Sequence, residues 1–254
     1  MIELPPPLWM PPRPAIIRSG EIKKANFLPG MFPGAVAAGV TPASLTFIGQ
    51  TELSTDLTTY SFATHAIGLA HPTRRVVVVA HWPHLSNTPV LNSATIGGNA
   101  AAVHASSNAT SNGCGIFSLL VPTGTTATIA FTLSAGAQRA RIAVYRGINE
   151  TSATLTAFMV DNTISTLILS GTLNIAANGW VVAGMSHAPA TASTGVTWTG
   201  VADQYDFLYT EAAGIRTSGG FQSGLPAETP RTITAVLAAG SNPAQGRLVA
   251  VSWA

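Results

Sequence analysis

The chain has 254 residues, of which 46% are hydrophobic and only 9% are Asp, Glu, Lys or Arg, against about 25% in typical soluble domains. No window offers the roughly 18 uninterrupted apolar residues of a membrane-spanning helix, so no membrane insertion is expected. The net charge is +2, and no basic run exceeds Arg74-Arg75 or Lys23-Lys24, which leaves nucleic acid without an electrostatic footprint.

Cys114 stands alone, so there is no disulfide framework within one chain. No positive segment followed by an apolar core marks a secretory signal, and synthesis in a cytoplasm is expected, with residence there or release by lysis. A free monomer normally interleaves more charge over its surface. The chain is therefore expected to be partly covered by other subunits, as a homo-oligomer, with a trimer as one arrangement.

Residues 1–42 read as an extended arm. Pro5, Pro6, Pro7, Pro11, Pro12, Pro14, Pro29, Pro33 and Pro42 fix φ and remove donors, so neither helix nor central strand can persist. At about 3.1 Å per residue, a polyproline II arm spans on the order of 100 Å. Unlike a disordered tail it carries large apolar side chains. Trp9, Arg13, Arg18, Phe27, Met31 and Phe32 are the candidate anchoring contacts to a partner; the plainer alternative is that the arm wraps its own domain.

From Ala43 onward the pattern is short strands with polar breaks. Leu45–Thr51 and Thr58–Ala63 come first. Arg74–Trp82 follows, and its four consecutive valines read as a strand covered on both faces. Gly97-Gly98 marks a tight hairpin within Ala94–Val103. Ile116–Val121 and Thr126–Leu133 read as a hairpin about Pro122-Thr123-Gly124-Thr125, and Arg139–Arg146 continues the alternation. Leu155–Val160, Thr163–Leu169, Trp180–Ser186, Val196–Thr199 and Gln204–Tyr209 extend the series. Gly219–Pro230 reads as a loop. Thr232–Ala238 and a buried Arg247–Trp253 close the domain. No repeat of 20–50 residues is visible. About twelve strands with Gly, Pro and Asn turns predict an all-β fold: one antiparallel, jelly-roll-like β-sandwich over residues 43–254, preceded by the arm.

Thr95-Ile96-Gly97-Gly98-Asn99-Ala100, Val121-Pro122-Thr123-Gly124 with its Thr-rich second arm, Arg141–Tyr145 and Gly246–Trp253 together resemble the β-sandwich of accessory structural proteins of tailed bacteriophages. The arm, with Pro11-Pro12-Arg13-Pro14-Ala15-Ile16-Ile17-Arg18 and Phe27-Leu28-Pro29-Gly30-Met31-Phe32-Pro33, is similar to their virion-anchoring peptides. The resemblance implies a tail, fibre or head-decoration subunit held by capsid, portal or tail proteins, assembled in the host cytoplasm and located in the virion. It implies no catalytic residues, metal or cofactor.

Side chains that could carry chemistry are few. His81 and His84 lack the Cys or carboxylate that zinc ordinarily recruits beside histidine. Gly184-Met185-Ser186-His187 lacks the second glycine of a nucleophile elbow. With no nucleophile–base pair in view, no enzyme is expected. The alternative is a carbohydrate-binding or receptor-binding module recognising host surface glycan. Trp82, exposed in a loop, would then stack on a sugar, while on a separate segment Tyr205 and Asp206 belong to a run of aromatics next to acids, whose pair Asp203 and Asp206 could also hold Ca²⁺ or act as acid and base. The plainer readings are a Trp that caps the core and an ordinary amphipathic edge strand.

Overall fold

The chain divides into a unit Met1–Val40 and a unit Thr41–Ala254. A computed structural model describes residues 43–84, 88–108, 111–150, 155–161 (backbone), 167–188, 194–209, 214–238 and 245–254, all in the second unit. The arm and its six anchoring candidates lie outside the described residues. Those described are all β, without helix, in four antiparallel sheets.

The first nine strands are β1 (Ser44–Leu53), β2 (Leu57–Ala66), β3 (Arg75–His81), β4 (Leu91–Ile96), β5 (Asn99–Ala100), β6 (Ala102–Asn108), β7 (Gly113–Leu120), β8 (Thr126–Ala137) and β9 (Ala140–Ile148). They form a sheet of order β1-β9-β3-β7-β6 and a second of order β2-β8-β4-β5. The valine run is the centre of the first sheet, and period-two geometry sends its side chains two ways. Val76, Val78 and Ala80 join Tyr60, Phe62, Ile96, Phe117, Ile129 and Phe131 between these two sheets. Val77 and Val79 point the other way, into a core shared with the rest of the chain. Both faces are buried, as β-branched side chains in an unbroken apolar run require.

The remaining strands are β10 (Leu155–Asp161), β11 (Ile168–Ile175), β12 (Gly179–Ala188), β13 (Val196–Thr199), β14 (Ala202–Tyr209), β15 (Ile215–Leu225), β16 (Glu228–Leu237) and β17 (Gln245–Trp253). Their sheets are ordered β10-β17-β12-β15-β14 and β11-β16-β13. Val181, Ala183, Met185, Leu248 and Ala250 pack outward onto Leu169, Trp198, Ile233 and Leu237. Trp180, Val182, Val249, Val251 and Trp253 face inward, onto Val77, Val79, Cys114 and Ile116. The layers thus run outer sheet, inner sheet, inner sheet, outer sheet.

One sandwich was expected, and two are stacked back to back. The predicted hairpin of Ile116–Val121 with Thr126–Leu133 is instead a crossing: β7 pairs with β3 and β6, whereas β8 pairs with β2 and β4 in the opposite sheet. Turn chemistry at Pro122–Thr125 ends a strand without dictating which sheet receives the next. Gly219–Pro230 is strand rather than loop for most of its length, with Gly219 and Gly220 inside β15 paired to β14 and β12. The Gly97-Gly98 hairpin forms as read, with positive φ at both glycines, and β17 lies between β10 and β12 with its side chains buried.

Both sandwiches have one strand order. Substituting β10, β11, β12, β13, β14, β15, β16 and β17 for β1, β2, β3, β4, β6, β7, β8 and β9 converts the first pair of sheets into the second, apart from the two-residue β5. A sequence echo accompanies it: Thr128-Ile129, Leu133 and Ala135-Gly136 answer to Thr232-Ile233, Leu237 and Ala239-Gly240. Arg141-Ile142 in β9 answers to Arg247-Leu248 in β17. A period on the order of 100 residues lies outside the 20–50-residue range of stacking repeats.

Candidate functional site

The three residues read as a sugar site are not brought together. Trp82 is 0% exposed; its ring packs against Phe131 and Gly113, and Nε1 donates to the Pro89 carbonyl at 3.0 Å. It offers no face to a ligand, because it directly follows the central strand β3 and its ring closes the end of the first core. Tyr205 is buried at the junction of the inner sheets, hydrogen-bonded to His81 Nε2 at 2.7 Å and stacked on Phe47. Asp206, the next residue, points to the other face. One oxygen accepts from Arg216 Nη1 at 2.6 Å and the other from the Val196 amide at 2.9 Å. The aromatic face of β14 is turned inward: the Arg141 guanidinium lies 3.6 Å from the Phe207 ring centroid and donates to Tyr209 Oη. Among the described residues no three His, Cys, Asp or Glu side chains gather as metal ligands.

A nucleophile–base pair that the sequence did not disclose does form. Ser118 Oγ lies 2.7 Å from His104 Nε2 and accepts from Arg75 Nη1 at 3.1 Å. Arg75 in turn forks onto Glu150 with contacts of 2.7–3.0 Å. Burial, aided by the Arg75 charge, pulls the His104 pKa down to about 4, so the ring is neutral. Its plane meets Trp253 edge-on. Ser118 is 1% exposed and faces protein on every side, so the cluster acts as a brace between β3, β6, β7 and the second sandwich. Sequence spacing could not announce it, because cross-strand register, not proximity in the chain, sets these neighbours.

The open site lies at the edge of the first sandwich. Among the described residues β1 pairs with β9 alone and β2 with β8 alone, so each has one edge that no described strand covers. A bulge between Phe47 and Gly49, and a second between Phe62 and His65 with Thr64 at φ +51°, splay the strands apart. The cleft between them measures about 540 Å³ and is floored by Ile48, Leu53 and Phe62, with Gly49, Thr51 and His65 among its walls. The equivalent strands of the second sandwich, β10 and β11, run closer together. Neither β1 nor β2 contains Lys, Arg or Pro, the residues that usually blunt an edge. The acid in β1, Glu52, is engaged by Arg139 and Arg141. Unpaired backbone over an apolar floor can receive an extended peptide as an added strand, with alternate side chains entering the cleft.

No family model, no curated protein and no solved structure matches the chain.

Proposed function

We propose that the protein is a structural subunit of a tailed-bacteriophage particle, in a tail, fibre or head-decoration position, held there by its Pro-rich residues 1–42. The observation that carries this reading is the strand order. On this reading the facing sheets β1-β9-β3-β7 and β2-β8-β4-β5 are the two sheets of a jelly roll, and the second sandwich follows the same strand order. Jelly rolls serve in viral capsid domains and in lectins. The inward-turned Trp82 and Tyr205 remove the aromatic platform that the lectin alternative needs. The low charge and the open β1/β2 edge favour contact with other subunits, and an extended strand of a neighbour is the ligand that edge suits. Many weak contacts on one particle give durable attachment.

The test is incorporation. Particles assembled with the full chain, and with a chain lacking residues 1–40, are purified and their protein content measured. The truncated chain is expected to fold and stay out of the particle. Normal incorporation of the truncated chain would overturn the anchoring role.

A further inference from the structure

The two sandwiches meet through like faces: β1-β9-β3-β7-β6 of the first against β10-β17-β12-β15-β14 of the second, each in the same strand order. The contacts are reciprocal. In one direction β1 and β9 reach β14 and β15, through Phe47 on Tyr205, Tyr145 on Phe221 and Arg141 on Phe207. In the other, the equivalent β10 and β17 lie against β6 and β7, with Trp253 on His104. Where the central strands β3 and β12 meet, Gly184 has no room for a side chain: a Cβ there would stand 2.3 Å from Val79 Cγ1. Reciprocity of this kind is the mark of an isologous, two-fold interface between identical subunits. Its centre holds Val77, Val79, Val182, Val249 and Val251, apolar side chains of the kind that fill obligate homodimer interfaces.

We infer that the chain is a duplicated sandwich fused to its own copy, a homodimer written in one polypeptide, and that the β1-β9-β3-β7-β6 face is a surface built for a second sandwich of the same design. The shared order of eight strands, the matched β8/β16 and β9/β17 sequences and the reciprocal contacts carry this inference, and it does not depend on the particle assignment.

The experiment uses the full chain with a protease site placed between Glu150 and Leu155, cut after folding. The cut protein is followed by light scattering and circular dichroism. A single species at the same mass as the uncut protein measured alongside, with its β spectrum intact, is expected. Separation at micromolar concentration, or loss of the β spectrum on cutting, overturns the inference. Gly184→Leu, which drives a side chain into Val79, is expected to split the cut protein into two folded fragments. Should that variant not fold, Phe47→Ala with Phe221→Ala, which trims the rim alone, is expected to raise the dissociation constant of the cut fragments at least tenfold. Fragments that hold together unchanged in the variant measured would show that this face does not join them.

Discussion

The Tyr205 hydroxyl and His81 Nε2 lie 2.7 Å apart across the junction of the two sandwiches. Burial, and then the Arg141 charge, lowers the His81 pKa to about 3, so the ring is neutral when folded. Unfolded, it takes a proton near pH 6.5. The folded state therefore binds fewer protons between those values, and its stability falls as pH drops from about 6.5 toward 3. Within that window the slope approaches about 1.4 kcal/mol per pH unit for this one group. His104, lowered to about 4, adds to the slope in the upper part of the window. Urea denaturation at pH 7, 5.5 and 4.5 should show the loss, and His81→Gln should flatten it. An unchanged slope in His81→Gln would place the titration elsewhere.

Trp82→Ala is expected to cost about 3–5 kcal/mol, the range for truncating a fully buried aromatic. Gly113→Ala should also destabilise, since a Cβ there would stand 1.9 Å from the indole Nε1. Thermal denaturation reads both. If Trp82→Ala were neutral for stability and abolished glycan binding, the buried placement and the core role would both fail.

Arg74, 0% exposed, donates to the carbonyls of Gly68, Val121, Thr123 and Gly124 at 2.5–2.8 Å and so joins the turn after β2 to the crossing before β8. Lysine lacks the planar fork and leaves some of these acceptors without a donor. Arg74→Lys should therefore lower stability by about 2–4 kcal/mol, measured by chemical denaturation.

Among the described residues no atom lies within 4 Å of the position a Gly49 Cβ would take. Gly49→Phe should fill the cleft at β1/β2 and change stability by less than about 1 kcal/mol. If that edge receives a neighbour's strand, the variant folds normally and enters particles poorly. Normal entry would remove the cleft from the assembly surface.

Much of the architecture was legible in the residues themselves. Four valines in a row could only be covered on both sides, Gly97-Gly98 could only turn tightly, and the apolar Arg247–Trp253 run could only lie inside. What stayed hidden was decided by partners rather than by propensity. Period-two alternation in Thr126–Leu133 states that a strand has a buried face; it does not say which sheet owns it. Glycines at 219 and 220 look like loop residues, yet they lie within a strand bonded on both edges. The echo between β8–β9 and β16–β17 is broken by a longer spacer after Gly240 than after Gly136, which masks the repeat. The Ser118–His104 pair and the β1/β2 cleft depend on register and on two bulges, features with no signature in a single sequence.

The position of β9 and β17 also sets an order of events during synthesis. Each is the last strand of its sandwich, and each is inserted between neighbours made much earlier, β1 and β3 or β10 and β12. Neither inner sheet can close until that strand has left the ribosome. The first sandwich can close once residue 148 is free, whereas the second waits for residue 253. At translation rates of about 5–20 residues per second, the interval is on the order of 5–20 s. Throughout it Val77, Val79 and Ile116 of the nascent first half await the second-sandwich residues that pack on them. Chaperone demand for this protein should therefore peak late in elongation and end when the second sandwich arrives.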